Sequence, residues 1–440
     1  MQKSAKKISA EQAAGLVRSG TWVDYGAANA QPELFDRALA ARVNELFDLK
    51  LRSSLAPKPI AVIDSDPDGV HVYQFSWHFS ALDRKQSDKG RCVYVPVHLG
   101  EIPDYYRRFV EPGDVAVIKA RPMDGRGNFN LSCSNVWHRA MAMRAKTVVV
   151  ETSDALPHVD GADNALHVSE VDYVIDGGHL PAASLVNPSP NEVDEAVARQ
   201  IAGEIEDGAC LQIGIGGMPN AVCALLRRGG AANLGIHTEM LTDGIIDLYK
   251  AGIVTGARKR LDPGKIVATF ALGSADLYAA MNNNGDVHLR AVDYTNSFAV
   301  ISANERMVSI NNTTQMDLQG QAASESDGFR HISGTGGQSD FLRGSYASKG
   351  GKSFICLAST YEGHGQRKSR IVLSLTPGNV VSGHRSDVMY VVTEYGMVNL
   401  KAKSIPERAK ALISIAHPDF REELERGAYE HGMIPRRWIA

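Results

Sequence analysis

Paired glycines stand before a predicted helix in the second half of the chain. Gly216 and Gly217 lie in the stretch Gly-Ile-Gly-Gly-Met-Pro-Asn, residues 214–220, and the helix is expected to begin near Pro219. Paired glycines let a ligand approach the backbone, and the amides of a helix start attract negative charge. A plain glycine turn is the alternative interpretation. The motif is neither the G-x-G-x-x-G dinucleotide fingerprint nor a Walker loop, since no Gly-Lys-Ser/Thr follows it.

A second glycine cluster lies further along the chain. Gly336 and Gly337 belong to the stretch Gly-Thr-Gly-Gly-Gln-Ser-Asp-Phe, residues 334–341. They are another candidate for close approach of a ligand to the backbone. The alternative is a flexible surface loop, although the following Phe341 and Leu342 favour a packed one.

A carboxylate lies between the two glycine clusters. The stretch from Asn233 to Met240 is typical of a strand that runs into a helix, and Glu239 lies at the junction. Open α/β sheets bind ligands at the carboxyl ends of their strands, so Glu239 is a candidate functional residue. A solvated glutamate favoured by the nearby helix start is the alternative. His237 is interpreted as a supporting hydrogen-bonding residue rather than a metal ligand, because no HExxH or comparable spacing surrounds it.

An internal repeat indicates which elements position these residues. Residues 12–26 and 200–214 align without a gap, and three glycines fall at the same spacing in both stretches. A second pair of similar stretches, residues 169–175 and 386–392, lies near the ends of the two halves. The chain is therefore expected to contain a tandem pair of related domains.

The repeat also separates architectural residues from candidates for function. Gly26 and Gly214 match, which favours a strand-to-helix turn common to both halves. Three candidates differ between the halves, since Gly216, Gly217 and Glu239 fall opposite Ala28, Asn29 and Ser54. Residues that only one half carries need a reason other than the shared architecture.

Helical patterns separate short apolar runs in both halves. The clearest helix is predicted to begin near Glu192 and to end at Gly208, with apolar residues at spacings of four: Val193, Val197, Ile201 and Ile205. Its counterpart in the first half opens with a predicted capping box from Ser9 to Gln12. Strands that alternate with helices indicate βα units and mainly parallel sheets.

These patterns predict the fold class and the domains. The class is α/β, with two related open α/β domains in tandem. The first is predicted at residues 1–180, and the second, which carries Glu239, at 190–440. The proline-containing segment Gly178–Asn191 breaks both periodicities and is the predicted linker.

Composition excludes several classes of function. The chain has 440 residues, 47 Lys and Arg against 50 Asp and Glu, and a formal charge of −3, with both signs mixed along it. Nucleic-acid binding is therefore not expected. No apolar run approaches the roughly 20 residues of a membrane span, and the N-terminus lacks the apolar core of a secretory signal, so a cytoplasmic protein without a membrane partner is expected. Five scattered cysteines favour reduced, buried thiols and no metal site.

At these motifs the sequence resembles the acetyl-CoA hydrolase/transferase group of CoA-transferases, particularly the 4-hydroxybutyrate, butyrate and itaconate CoA-transferases. The resemblance covers nearly the whole chain. Its four motifs are the stretches 214–219, 236–240 with Asp243-Gly244, 336–341 and 392–396. Their number and order make the resemblance specific.

The resemblance implies a site and a reaction. Glu239 would be the nucleophile that carries CoA as a glutamyl thioester between an acyl-CoA and a short-chain carboxylate. Asn296 and His237 would support it, CoA would be a substrate rather than a cofactor, and the enzyme would be a homo-oligomer. CoA binding is implied along Gly216, Gly217, Met218, Pro219 and Asn220 and near Gly336 and Gly337.

The first half is implied to help hold the acyl group. The stretch from Tyr73 to His78 is a candidate for this, although an ordinary aromatic core is the favoured interpretation.

Two other functions compete with the transferase. In an acyl-CoA thioester hydrolase, water would take the place of the acceptor carboxylate. A non-catalytic ligand-binding module on the same general fold would give no reason for Glu239 or for glycine clusters in one half only. A serine hydrolase is disfavoured because the chain lacks a G-x-S-x-G elbow.

Overall fold

The computed structural model describes residues 5–185, 188–363 and 365–435. Its strands are β1 (Lys6–Lys7), β2 (Trp22–Tyr25), β3 (Leu49–Arg52), β4 (Val72–Ser76), β5 (Cys92–Tyr94), β6 (Val115–Ala120), β7 (Asn128–Asn130), β8 (Val148–Thr152), β9 (Ala165–His167), β10 (Tyr173–Asp176), β11 (Cys210–Ile213), β12 (Gly235–His237), β13 (Met240–Leu241), β14 (Ile266–Ala268), β15 (Phe270–Ala271), β16 (Val287–Leu289), β17 (Met307–Asn312), β18 (Gln315–Asp317), β19 (Ala322–Ala323), β20 (Ser326–Asp327), β21 (Arg330–His331), β22 (Lys352–Cys356), β23 (Thr360–Gly363), β24 (Gln366–Ser369), β25 (Ile371–Val372), β26 (Tyr390–Thr393) and β27 (Gly396–Asn399).

The α-helices lie between these strands and after them. They are α1 (Ala10–Ala14), α2 (Leu34–Ala40), α3 (Ala61–Asp64), α4 (Ala81–Ser87), α5 (Ile102–Arg108), α6 (His138–Arg144), α7 (Glu192–Ala202), α8 (Gly217–Arg228), α9 (Asp243–Lys250), α10 (Ala275–Met281), α11 (Val292–Thr295), α12 (Phe298–Ala303), α13 (Gln338–Ala347), α14 (Ile405–Ile415) and α15 (Pro418–Glu430). Among the described residues, no helix is long and apolar enough to cross a membrane.

The chain folds into two compact units that are interleaved in sequence. The first unit takes the described residues up to 185, together with Thr238–Asp243 and Lys265–Asn296. The second takes the described residues from 188 to 237, then Gly244–Gly264 and the chain from Ser297 onward. The predicted limits 1–180 and 190–440 follow the order of the chain, whereas two segments of its second half, one of which contains Glu239, pack with the first unit.

The first unit is built on an eight-stranded sheet in which every pair is parallel. The strand order is β1-β10-β8-β6-β2-β3-β4-β5. Both faces are covered, and β6 shows how: Val115 and Val117 belong to one apolar cluster, with Phe35, while Ala116 and Ile118 belong to another. A continuous apolar run is the pattern that a doubly covered parallel strand requires.

The second unit contains strands in the order β12-β11-β17-β22-β26-β27. The first five strands are parallel, and β27 returns antiparallel to β26 through a tight hairpin. The carboxyl ends of the parallel strands therefore meet at one edge, where open α/β sheets place their ligand sites. The prediction of an α/β fold with parallel sheets is confirmed.

The predicted repeat is confirmed by the two strand orders. Five strands of the first unit, β10-β8-β6-β2-β3, recur in the second unit as β26-β22-β17-β11-β12. Gly26 directly follows β2, and Gly214 directly follows β11, as expected for matching turns. The second pair of similar stretches opens matching strands, since Tyr173 begins β10 and Tyr390 begins β26.

The first copy of the turn is closed by a side chain. Asn29, the counterpart of Gly217, is buried. Its Nδ2 donates to the Ala271 carbonyl at 3.1 Å and to the Tyr278 hydroxyl at 3.0 Å, and its Oδ1 accepts the Ala183 amide at 2.7 Å. In the first copy this position is thus occupied by an amide that connects three segments of the first unit.

Two local predictions have different outcomes. The capping box at α1 is confirmed, because Ser9 Oγ accepts the Gln12 amide at 3.1 Å and Gln12 Oε1 accepts the Ser9 amide at 2.9 Å. The predicted end of α7 at Gly208 is wrong, because the helix ends at Ala202. Ile205 is nevertheless buried. Its place in the apolar pattern therefore reflects burial of the residue after the helix, and not a longer helix.

A buried histidine accepts a hydrogen bond from the turn that follows β2. His138 is fully buried; its Nε2 accepts the Ala27 amide at 2.8 Å, and its Nδ1 lies 3.0 Å from the Ser134 carbonyl. Because an amide can only donate, Nε2 must be the acceptor, and Nδ1 carries the proton. Burial lowers the pKa of His138 from 6.5 to about 4, so the fold holds this imidazole neutral.

Replacing His138 by Gln is expected to cost less stability at pH 4 than at pH 7. The unfolded chain takes up a proton near pH 6.5 and the fold only near pH 4, so the stability that neutral His138 contributes is lost as the pH falls through this interval. The difference in unfolding free energy between wild type and His138→Gln should shrink by about 3 kcal/mol. Denaturant titrations of both proteins at the two pH values measure it.

Other titrating groups cancel in that comparison because both proteins carry them. Asp36, whose pKa burial raises to about 6, is one such group and acts with the opposite sign. An equal difference at the two pH values would show that His138 is not held neutral.

Candidate active site

Backbone pairing fixes the position of Glu239 within the first unit. Glu239 directly precedes β13, which pairs in parallel with β15. Its carbonyl oxygen accepts the amides of Thr269 at 2.9 Å and of Phe270 at 3.3 Å, and the preceding Thr238 amide donates to the Val267 carbonyl at 3.0 Å. The residue therefore follows the carboxyl end of β12, as the sequence predicted, but β13 separates it from the helix that begins at Asp243.

The side chain of Glu239 is held by Asn296. Asn296 Nδ2 donates to Glu239 Oε2 at 2.9 Å. Glu239 is half-buried, whereas only 3% of Asn296 is exposed. Asn296 follows α11, and its backbone amide donates to the Val292 carbonyl at 2.9 Å. The structure thus brings together two of the predicted site residues, 57 positions apart in the chain.

The first glycine cluster forms the start of α8 in the second unit. Gly216 caps this helix with φ +124° and ψ 177°, a conformation that residues with a Cβ rarely adopt. At Gly217 a Cβ would overlap the Asp194 carboxylate of α7. Met218 and Pro219 are buried in the first turn, and Asn220 Nδ2 donates to the Pro188 carbonyl at 3.2 Å. Close helix packing accounts for Gly217, and the turn conformation accounts for Gly216.

The second glycine cluster forms the start of α13. Gly336 has φ +56°, and Gly337 caps the helix. The cluster is packed, as the sequence favoured, because Gln338 Nε2 donates to the Asn312 carbonyl at 3.2 Å and Phe341 is buried.

The two glycine-rich helix starts, those of α8 and α13, lie beside the same turn, which follows β17. A cavity of about 280 Å³ opens there, and it is lined by Gly217 and Met218 of α8 together with Asn312, Thr313 and Thr314. His237 is fully buried in the same unit, and its ring centre lies 6.4 Å from that of Phe341. A larger cavity of about 960 Å³ lies between the β23–β24 hairpin and α15. Its lining residues include none of the predicted site residues.

The cysteines offer no rival nucleophile. All five are buried free thiols. Burial raises the pKa of Cys133 and Cys223 to about 12 and that of Cys210 to about 11, so these thiols stay protonated at neutral pH. Among the described residues, no group of three or more His, Cys, Asp or Glu side chains is placed to hold a metal ion.

Sequence patterns missed the backbone that supports Glu239. The run from Val267 to Phe270 has the residue pattern of one strand, but the structure breaks it at Thr269, between β14 and β15. The break lets the amides of Thr269 and Phe270 both face the Glu239 carbonyl. An apolar run that continues through a threonine gives little sign of such a break.

The aromatic stretch of the first half is part of the core. Trp77 is buried, and its ring packs edge-on against Tyr105 and Tyr106 with centres 6.1 and 6.3 Å apart. Ser54, the counterpart of Glu239 in the repeat, accepts the Trp77 amide at 2.7 Å. The favoured interpretation of this stretch, an ordinary aromatic core, agrees with these contacts, although 51% of Tyr73 is exposed.

The fold and these residues define a class of protein. Two α/β repeats of the same strand order carry one carboxylate held by a neutral side-chain amide, and two glycine-rich helix starts that only the second copy possesses. A carboxylate with an amide donor on one oxygen is equipped for nucleophilic attack on an acyl group. The class is therefore an α/β enzyme of acyl or CoA transfer.

The chain belongs to the acetyl-CoA hydrolase/transferase family. The family's N-terminal domain matches residues 2–185, and its C-terminal domain matches residues 273–428. Neither range includes Gly216 to Asn220 or Glu239.

Similar proteins agree with the family. The butyryl-CoA:acetate CoA-transferase of Anaerostipes caccae is 41% identical, and the alignment covers 99% of this chain and 98% of that protein. The 4-hydroxybutyrate coenzyme A transferase of Clostridium kluyveri is 39% identical over 95% of this chain and 96% of its own. The crystal structure of RipA from Yersinia pestis is 34% identical with a TM-score of 0.87, and 98% of each chain is covered.

The predicted enzyme class, a CoA-transferase, is confirmed by these full-length relatives. Relatives named acetyl-CoA hydrolase are more distant, at 25% and 28% identity over 76% and 49% of this chain.

The substitution Gly217→Ala is expected to destabilise the protein by about 1–2 kcal/mol. The new methyl group would overlap the Asp194 carboxylate, which would then have to give up its hydrogen bond from the Asn191 amide, 3.1 Å long. Gly214→Ala is the matched control, because a Cβ there meets no atom within 4 Å. Denaturant unfolding of both variants tests this, and equal stability would show that α7 and α8 are not in close contact at Gly217.

Proposed function

We propose that this enzyme moves CoA between an acyl-CoA and a short-chain carboxylate through a thioester on Glu239. The observation that carries the proposal is the 2.9 Å hydrogen bond from Asn296 Nδ2 to Glu239 Oε2. The relatives named for butyryl-CoA:acetate and 4-hydroxybutyrate transfer support an acceptor of the butyrate, 4-hydroxybutyrate or itaconate class.

The reaction proceeds by two acyl substitutions at each loading of the enzyme. In the first, Glu239 Oε1 attacks the thioester carbonyl, the C–S bond breaks, CoA leaves as a thiolate, and a mixed anhydride of Glu239 and the acyl group remains. In the second, the thiolate attacks Cδ of Glu239, the bond from Cδ to the bridging oxygen breaks, and the donor's carboxylate leaves. An incoming carboxylate then reverses both steps and takes the CoA. Every step moves an electron pair between two partners and no oxidation state changes, so the cycle needs no redox cofactor, and CoA takes part as a substrate.

Asn296 has a defined task in this cycle. After attack by Oε1, Oε2 is the carbonyl oxygen of the glutamyl group, and Nδ2 already donates to it. Negative charge collects on Oε2 whenever thiolate or carboxylate attacks Cδ, and a fixed donor at such an oxygen contributes roughly 10² to 10³ in rate. A neutral amide can stabilise this negative charge without transferring a proton to the carboxylate, so the carboxylate stays nucleophilic.

The second unit supplies the features proposed for CoA binding. The starts of α8 and α13 present backbone amides at Gly216, Gly217, Met218, Gly336 and Gly337. Pro219 and Asn220 complete the proposed site in the first turn of α8, where the Asn220 amide donates to the Gly216 carbonyl at 3.1 Å. Helix starts of this kind favour phosphate and carbonyl oxygens. His237 is proposed as a supporting residue through its place before Glu239 in the chain. A cytoplasmic location and a homo-oligomeric state are further parts of the proposal.

Glu239→Gln is expected to fold and bind CoA but to lose exchange, because an amide oxygen is a poor nucleophile. Incubating the native enzyme with acyl-CoA and no acceptor should leave CoA on Glu239, seen as a mass increase of its peptide that hydroxylamine removes. Glu239→Asp keeps the charge but shortens the reach, and should lose roughly 10²-fold in rate. An adduct on any other residue, or near-native exchange in Glu239→Gln, would refute the mechanism.

Acceptor dependence separates the transferase from the hydrolase. Acetate, butyrate, 4-hydroxybutyrate, itaconate and succinate should each be compared with water alone, using labelled acyl-CoA. A good acceptor should accelerate the loss of acyl-CoA well above the water rate, with ping-pong kinetics, since CoA stays on the enzyme between half-reactions. Equal rates with and without every acceptor would favour the hydrolase.

A further inference from the structure

Only one of the two orientations of the Asn296 amide suits the proposed function. With Nδ2 towards Glu239 the amide donates to Oε2. A half-turn of the side chain would place Oδ1 against the carboxylate instead, and two oxygens that both accept hydrogen bonds repel each other. While Glu239 is charged, this repulsion itself favours the productive orientation.

The orientation is less secure once Glu239 carries a group. In the anhydride and in the glutamyl thioester the carboxylate has lost its charge, and its carbonyl oxygen is a weaker acceptor. At this stage a second contact to the far end of the Asn296 amide would keep Nδ2 in place. The steps that follow, attack on Cδ, are those in which the donor stabilises negative charge on Oε2.

Thr295 makes such a contact. It is fully buried, and its hydroxyl oxygen lies 3.1 Å from Asn296 Oδ1. The hydroxyl also lies 3.4 Å from the Val292 carbonyl. A hydroxyl has one hydrogen to donate, and the shorter distance favours Asn296 Oδ1 as its acceptor.

The surroundings hold this hydroxyl in place. Thr295 ends α11, whose first residue, Val292, is buried in the apolar core of the first unit. The Val292 amide donates to the Val136 carbonyl at 2.9 Å, and the Thr295 amide donates to the Ala291 carbonyl at 3.2 Å. A β-branched side chain on a fixed backbone has little freedom at χ1.

We propose that Thr295 is a positioning residue for the transfer reaction, whose hydroxyl donates to Asn296 Oδ1 and so keeps Asn296 Nδ2 directed at the Glu239 carbonyl oxygen. This inference rests on the proposed function of Glu239 and Asn296. It assigns Thr295 no contact with substrate. Its effect is expected to be larger on discharge of the glutamyl thioester than on its formation, because formation begins from charged Glu239.

The test compares Thr295→Val, which keeps the shape and removes the donor, with Thr295→Ser, which keeps the hydroxyl. Rapid mixing of the preformed adduct with acetate measures discharge, and mixing of free enzyme with acyl-CoA measures formation. Thr295→Val should slow discharge about tenfold, the worth of one hydrogen bond, and formation less. Thr295→Ser should stay within about twofold of wild type. Thr295→Ala is a second variant without the donor, should the valine variant fail to fold.

A double-mutant cycle distinguishes positioning from a general loss of structure. Asn296→Ala removes the group on which Thr295 acts, so adding Thr295→Val to it should produce no further loss of rate. An equal loss in both backgrounds, a native discharge rate in Thr295→Val or Thr295→Ala, or no recovery in Thr295→Ser would overturn the inference.

Failure of the proposed function would look different. An adduct on a residue other than Glu239, or full activity in Asn296→Ala, would remove the basis of both proposals. An adduct on Glu239 that forms and discharges normally in both donor-free variants, together with a slow Asn296→Ala, would remove only the role of Thr295.

Discussion

A carboxylate that attacks an acyl group must keep its negative charge and must also have a donor ready for the oxygen that it leaves behind. A cationic donor would hold the charge too strongly and lower the nucleophilicity of the carboxylate, while water would be displaced at every step. In the proposed mechanism, the 2.9 Å hydrogen bond from Asn296 to Glu239 would meet both needs with a neutral group. Backbone hydrogen bonds within the first unit fix the two segments that carry these side chains.

The means of support are backbone hydrogen bonds between segments far apart in the chain. The Glu239 carbonyl accepts amides from Thr269 and Phe270, and the Thr269 carbonyl in turn accepts the Asn135 amide at 2.8 Å. Because three segments pair side by side, the position of Glu239 does not depend on the conformation of one loop. These hydrogen bonds to Thr269 and Asn135 are the reason that Glu239, in the second half of the chain, belongs to the first compact unit.

The two copies of the repeat share one strand order but differ at the turn that follows the matched glycine. Both copies place a glycine after the first matching strand, but the following positions differ. In the first copy Asn29 fills the turn and fastens it to Ala271, Tyr278 and Ala183. In the second copy Gly217 lets α8 pack closely against Asp194 of α7. The same position thus carries a hydrogen-bonding amide in one copy and a glycine required by helix packing in the other.

The sequence alone determined the repeat, the parallel sheets, the capping box at Ser9, the family and the identity of Glu239 as the residue of interest. Each of these leaves a local mark, such as a spacing of glycines, a run of apolar residues or a motif. Tertiary structure decided the end of α7 at Ala202, the break between β14 and β15 at Thr269, and the hydrogen bonds of the Asn29 side chain. It also decided the contact of Thr295 with Asn296 and of Asn296 with Glu239. Hydrophobic periodicity reports which side chains are buried, but a hydrogen bond depends on distances of a few tenths of an ångström between atoms that the chain brings together only when it has folded.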